Sequence, residues 1–176
     1  MKNIKHLFNI HVSTYFLILS FLFTGLIKNI ILIYFIVLFH ELGHLFIIKV
    51  LGYKILRVDI YPSGGVTQID KKINTKISHD LLIASFGILF QIILYCIFTF
   101  LYSFSFIRSS TYELFFTYNT TILLFNLLPI IPLDGYQFLR CIWEILFPFK
   151  KAFKISFVIS LIAVLLFITY NHLFSL

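Results

Sequence analysis

The sequence predicts an all-α polytopic membrane protein of about five transmembrane helices, with a small β-hairpin loop between the second and the third. Three observations predict it. The chain is 60% hydrophobic and 12% charged, with a mean hydropathy of +1.00, which is more apolar surface than a soluble domain carries. The apolar residues gather into runs close to the roughly 20 residues that a 30 Å hydrocarbon core demands. The basic residues concentrate in alternate connections between those runs, as cytoplasmic loops require. Little sequence is left over, so a single integral membrane domain over residues 1–176 is expected, with no separate soluble domain.

The first run extends from Phe8 to Ile27. Lys2 and Lys5 precede it as in a signal peptide, but no small-residue cleavage site follows, so a retained helix is expected. Asn9, His11, Ser13 and Thr14 dilute its start. The second run spans Ile30 to Leu51. From Ile55 to Tyr61, Val58 and Ile60 partly alternate with Arg57 and Asp59; Pro62-Ser63-Gly64-Gly65 then supplies turn chemistry, and Val66 to Ile69 can return as a strand. Two more runs cover Leu81 to Ile107 and Tyr112 to Ile131. Between Tyr136 and Phe147, Gln137, Arg140 and Glu144 recur at helical spacing among apolar residues, which reads as an interfacial amphipathic helix stopped by Pro148. The last run is Phe153 to Phe174.

Of the 14 basic residues, all but Lys28 and Arg108 fall on one side if the N-terminus is cytoplasmic. The expectation from the charges is therefore a cytoplasmic N-terminus and an extracytoplasmic C-terminus; the membrane itself is expected to be a bacterial cell membrane. The same scatter argues against nucleic acid, which needs a basic patch with interleaved aromatics. Cys96 and Cys141 lie in apolar stretches without a CxxC partner, so they read as packing residues.

Within the second run stands His40-Glu41-Leu42-Gly43-His44. On a helix, positions i and i+4 share a face, so both imidazoles can bind one Zn²⁺ while Glu41 is placed to activate water. An HExxH pattern arises by chance in many soluble proteins, but ionisable side chains at membrane depth cost several kcal/mol unless they are paired or functional, at roughly 2.5–3.5 kcal/mol or more each. His40 lies eleven residues beyond Asn29 (40 − 29), about 16 Å at a 1.5 Å rise, which puts the pair near mid-bilayer.

A catalytic zinc takes three protein ligands and leaves a fourth position open. Among the remaining carboxylates, Asp59 and Asp70 belong to the polar loop, Asp80 and Glu113 border runs, and Glu144 can pair with Arg140 at i,i+4. Asp134 remains. It follows Pro129 and Pro132, which break the helical ladder where freed backbone needs protein or a water-filled cavity around it. Pro-Leu-Asp-Gly is also ordinary exit-turn chemistry; the unfilled ligand position favours the metal.

The HELGH helix, the Pro62-Ser63-Gly64-Gly65 hairpin and the stretch from Asn126 to Gly135 (NLLPIIPLDG) together resemble the site-2 protease family of intramembrane zinc metalloproteases. Within it the resemblance is nearest to the stage IV sporulation protein FB branch, which activates a mother-cell sigma factor. Its two main motifs stand ninety residues apart (134 − 44) in the expected order. The resemblance implies one Zn²⁺ per chain held by His40, His44 and Asp134, with Glu41 as general base and Asn126 orienting or polarising the scissile carbonyl. It implies a membrane-associated protein substrate, and a membrane inhibitor or regulator as a further partner. Where family members often carry Gly-Pro-x-x-Asn, this chain has Gly87-Ile88-Leu89-Phe90-Gln91, which alters local helix shape and keeps a hydrogen-bonding side chain. The branch also carries a soluble nucleotide-sensing domain, and this sequence ends at Leu176, so a different mode of control is expected.

His6, His11, His79 and His172 sit near run boundaries and read as interfacial residues. Gly64 and Gly65 are turn glycines in the plain reading; in the functional one, the hairpin beside them offers an edge to an extended substrate by strand addition. Two other functions use the same residues. A metal transporter would want polar residues along a path through the other runs, which offer almost none, and a catalytically silent binding module would not need Glu41.

Overall fold

The computed structural model describes residues 8–61, 64–70 and 76–174. The Pro62-Ser63 turn, the basic residues Lys2, Lys5, Lys71 and Lys72, and His6 lie outside the described residues. The chain divides into two compact units, Met1–Ile73 with Phe86–Ile122, and Asn74–Ser85 with Leu123–Leu176.

The first unit opens with a short strand, β1 (Phe8–Ile10), and two helices, α1 (Val12–Thr24) and α2 (Ile27–Val50). His11 caps α1, its ring accepting from the Ser13 amide at 3.3 Å, and Gly25 ends the helix at φ 71°, a left-handed conformation that glycine adopts at least cost. The sequence placed a transmembrane run from Phe8; the structure corrects this to a strand followed by a helix of 13 residues, about 20 Å long and short of a 30 Å core. Asn9, His11, Ser13 and Thr14, which dilute the run, mark that change.

After α2, Gly52 turns the chain at φ 78° into β2 (Lys54–Tyr61), which pairs antiparallel with β3 (Gly64–Asp70). This is the expected hairpin, with a bulge between Ile55 and Arg57. The sheet has a third member that the sequence did not suggest: β1 runs parallel to β2, with Phe8 opposite Val58 and Ile10 opposite Ile60, giving the order β1-β2-β3. Buried Asp59 explains the polar start of the chain, since it accepts from Asn9 Nδ2 at 3.1 Å and from Arg57 Nε at 2.7 Å.

Helix α3 (Ile77–Ser103) begins in the second unit and continues through the first; α4 (Ser109–Leu127) does the reverse. In the first unit their middle portions pack with α2 around Ile36, Leu94 and Phe115, where Phe98 stacks on Phe115 at 3.7 Å between centroids. Lipid supplies no hydrophobic drive for this packing, so close fit and small residues must hold it. Gly43 is the small residue. A Cβ there would strike the Phe86 carbonyl of α3 and lie 3.0 Å from Phe90 Cβ.

In the second unit, α5 (Asp134–Leu146) packs against α6 (Phe149–Phe174). The amphipathic helix expected from Tyr136 to Phe147 is thus present and begins two residues earlier. Arg140 pairs with Glu144 at 3.1 Å, as its i,i+4 spacing suggested, and reaches Asp80 at 3.7 Å. Ala152, Ser156 and Ser160 recur every four residues on the buried side of α6, which lets two backbones approach.

Three helices among the described residues are long and apolar enough to cross a membrane: Ile27–Val50, Ile77–Ser103 and Phe149–Tyr170. The fold is mostly helical with a small three-stranded sheet. Helices α1 and α4 fall outside that set, α1 by length and α4 because Glu113, Thr117, Asn119, Thr120 and Thr121 interrupt its apolar character.

Enlarging Gly43 should drive α2 and α3 apart. For Gly43→Val we expect a loss of about 1–3 kcal/mol, the usual cost of overpacking, seen as a lower thermal midpoint in detergent; an unchanged midpoint would place the α2–α3 contact elsewhere.

Candidate metal centre

His40 and His44 are one turn apart on α2, and the helix presents both rings to the same face of α3. Their Nε2 atoms are 3.0 Å apart and the rings meet edge to face at 4.8 Å. Two ligands at 2.0–2.1 Å from a tetrahedral zinc would be separated by roughly 3.3 Å, so the pair is close to the spacing such an ion needs. Two nitrogen lone pairs facing each other at this distance repel unless a proton or a cation lies between them, and a membrane interior offers no bulk water to relieve that. The residues therefore fit a metal ion by donor type and by spacing.

Room for the rings is made by Gly87. A Cβ at this position would collide with His44 Nε2, and would stand 2.6 Å from His44 Cε1 and 2.7 Å from His40 Cε1. Gly43 thus lets the two helices touch, and Gly87 lets the imidazoles lie in the seam. Neither role was read from the sequence, where Gly43 counted only as a variable position of HExxH and Gly87 as part of a departure from a family pattern.

One turn further along α3, Gln91 is fully buried, and its Oε1 lies 3.0 Å from His40 Nδ1. Its Nε2 points at the backbone oxygen and Oδ1 of Asn119 on α4, both at 3.4 Å, and Asn119 is buried as well. A backbone oxygen only accepts, which assigns the amide nitrogen of Gln91 to Asn119 and its oxygen to His40. The His40 Nδ1–H then donates to Gln91.

Glu41 is held by the hairpin. The Gly65 amide donates to Glu41 Oε1 at 2.8 Å, and a Cβ on Gly65 would lie 2.8 Å from Glu41 Cδ and 2.9 Å from Oε2. Gly64, at φ 140°, leaves 3.3 Å between its missing Cβ and Glu41 Oε1. The two glycines thus do more than turn the chain: they admit a carboxylate against β3. The first unit brings together His40, Glu41, His44, Gly64 and Gly65, along with Gln91 and Asn119.

Asn126 and Asp134 belong to the second unit. Asn126 is half-buried near the end of α4, and Asp134 is the first residue of α5, where helix amide dipoles favour a carboxylate. Between them the chain turns through Pro129 and Pro132, with a cis bond at Ile131–Pro132 and the Ile131 amide donating to Ser160 Oγ at 3.1 Å. Gly135 is obligatory in that turn, because a Cβ there would strike the Leu127 carbonyl.

Fold and site define a helical membrane protein with a pair of metal-competent imidazoles midway along a span, and a carboxylate between them. Residues 28–110 match Peptidase family M50. The chain is 35% identical over 154 residues to stage IV sporulation protein FB of Bacillus subtilis, covering 86% of this chain and 54% of that protein. It is 33% identical over 129 residues to a zinc metalloprotease of Methanocaldococcus jannaschii, covering 72% of this chain and 37% of the other. It therefore spans about half the length, or less, of these curated relatives. The structure is similar to that of a site-2 protease from Methanocaldococcus jannaschii, with a TM-score of 0.68 and 28% identity over 98% of this chain and 83% of that one. Residues 28–110 are thus similar to Peptidase family M50, and the fold is similar to that of a site-2 protease.

Two substitutions separate the roles of the glycines. Gly87→Ala should push the imidazoles apart and weaken zinc binding at least about tenfold, the scale at which displaced ligand geometry is felt, measured by chelator competition. Gly65→Ala should leave zinc affinity within a few-fold of the parent while displacing Glu41. Equal zinc affinity in Gly87→Ala and parent would show that the seam tolerates a methyl.

Proposed function

We propose that this chain is an intramembrane zinc metalloprotease that hydrolyses a peptide bond in or near the membrane segment of a membrane-associated protein. The observation that carries the reading is the paired imidazoles of His40 and His44 in the middle of α2, with Glu41 on the same helix. In our reading His40, His44 and Asp134 hold one Zn²⁺ per chain, two imidazoles and a carboxylate being donors that suit this ion. When bound, the ion supplies Lewis-acid chemistry, polarising a carbonyl and acidifying water.

The protein groups divide the remaining work. Glu41 takes the proton from the attacking water and returns it to the leaving amine. Asn126 donates its amide hydrogen to the scissile carbonyl oxygen as charge develops there. The substrate segment must unwind, because a helical peptide bond is hydrogen-bonded and covered; β3, an outer strand of the sheet, receives the unwound stretch near Gly64 and Gly65 by strand addition. The N-terminus is cytoplasmic and the C-terminus extracytoplasmic, and the chain forms a single domain of about five membrane helices, of which α1, at 13 residues, enters a locally thinned bilayer. Substrates of this class include a sigma factor precursor or another membrane-tethered regulator, and a membrane inhibitor is a natural further partner. The name of the Bacillus relative links that protein to sporulation, and we extend that setting to this chain as part of the proposal.

Three variants test the reading. Glu41→Gln should retain zinc and fold while cleavage falls at least about a hundredfold, the contribution of a positioned general base; a transporter or a silent binder would keep working. Asp134→Ala should lose stoichiometric zinc from the purified protein, and parental affinity would remove Asp134 from the ligand set. Asn126→Ala should slow turnover with zinc still bound.

The substrate itself gives a second check. Helix-weakening residues such as Gly, Pro, Asn or Ser in the cytoplasmic half of the substrate segment should mark the cut, and replacing them with Leu should slow it. Product ends mapped by mass spectrometry to the extracytoplasmic end would contradict the proposed orientation.

A further inference from the structure

Gln91 and Asn119 are buried polar residues that the proposed chemistry does not use. Each sits deep in an apolar helix, with relative exposures of 0% and 1%, where a polar side chain is costly unless its hydrogen bonds are met. Gln91 meets one of them with His40: its Oε1 stands 3.0 Å from Nδ1, on the far side of the ring from the Nε2 that faces His44. The other end of its amide is anchored on α4 through the two oxygens of Asn119.

We propose that Gln91 is the positioning residue of the metal centre, fixing the tautomer and the ring orientation of His40, and that Asn119 in turn fixes Gln91. The proposal rests on the reading of His40 as a zinc ligand. Neutral imidazole carries one proton. With Nδ1–H donating to Gln91, the lone pair lies on Nε2 and points at the ion. Without an acceptor at Nδ1, the proton can reside on either nitrogen, and the fraction of rings with a lone pair at Nε2 falls. The ring also loses a hydrogen bond that opposes rotation about Cβ–Cγ. A carboxylate or a backbone carbonyl is the usual partner of a ligating histidine. Gln91 performs the task without a net charge, which suits a site surrounded by apolar helix, and it delivers the acceptor from about one turn beyond Gly87, whose missing Cβ admits the ring.

The test measures metal binding and not turnover. The full chain in detergent or nanodiscs is titrated with Zn²⁺ against a chelator, and the Co²⁺-substituted protein gives a ligand-field spectrum. Gln91→Leu should bind Zn²⁺ roughly 10–100-fold more weakly, as removal of an outer partner of a ligating histidine does, and should shift the Co²⁺ bands. Gln91→Glu keeps an acceptor oxygen for His40 Nδ1 but loses the amide donor to Asn119, so it should recover much of the affinity lost in Gln91→Leu and move the Co²⁺ bands back toward the parent. Asn119→Leu should weaken binding by a smaller factor and add little in a Gln91→Leu background. Should Gln91→Leu fail to fold, Gln91→Met, closer in shape, carries the comparison with Gln91→Glu. Parental affinity and spectrum in Gln91→Leu or Gln91→Met would overturn the proposal, as would a Gln91→Glu variant as weak as the apolar ones, since packing alone would then explain the loss. His40→Ala separates this from the larger reading: if it keeps parental zinc affinity, the zinc assignment itself fails; if it loses zinc while Gln91→Leu does not, only the role of Gln91 fails.

Discussion

Everything at the candidate centre depends on how closely α2 and α3 approach. Two glycines set that distance, Gly43 against the Phe86 backbone and Gly87 against the rings of His40 and His44. In water, hydrophobic burial could tolerate a looser seam. In lipid the alternative partner of an apolar side chain is an equally apolar tail, so helix association must come from fit. A seam opened by one methyl would lose that fit and also remove Gln91 from hydrogen-bonding range of His40, because both follow from the same turn of α3.

The second constraint is the cost of polar groups away from water. Around the candidate centre the first unit answers it by pairing. His40 finds Gln91, Gln91 finds Asn119, and Glu41 finds the amide of Gly65. Threonines 117 and 121 on α4 return their hydroxyls to the carbonyls of Glu113 and Thr117, four residues back. Of the polar residues that reduce the apolar character of α4, Thr117 and Thr121 are thus spent within their own helix, and Asn119 serves the neighbouring one.

Much of this was legible in the sequence, for identifiable reasons. The HExxH spacing is a helical periodicity, and an apolar run of that length fixed the helix on which it sits. The β2–β3 hairpin was visible because strand alternation and Pro-Ser-Gly-Gly turn chemistry are local signals. The Arg140–Glu144 pair followed from i,i+4 spacing. What stayed hidden was non-local. Strand β1 has three residues and pairs with a partner fifty positions away (58 − 8), so no window of sequence contains the pair, and its apolar Phe8 and Ile10 merged into the neighbouring run. Gly43 and Gly87 are likewise defined by what they touch across the seam, and a single sequence shows a glycine without showing what its missing Cβ would meet. Gln91 was noticed as a polar residue in an apolar run; its partner could not be named without knowing which face of α3 turns toward α2.

The parallel pairing of β1 with β2 also works as a length gauge. The chain leaves one strand, climbs α1, descends α2 and re-enters the sheet beside its starting point, so the helical hairpin is a closed circuit with both ends pinned to one ladder. Sliding α2 along its axis would pull on the Gly52 turn and on the ladder, whose register resists because a one-residue slip sends every side chain of the strand to the opposite face. The height of His40 and His44 along their helix is therefore indexed to the sheet, and the same sheet carries Gly65 against Glu41. Ligand helix and carboxylate clamp are two readings on one ruler, and the short strand β1 ties both to the sheet from which the chain sets out.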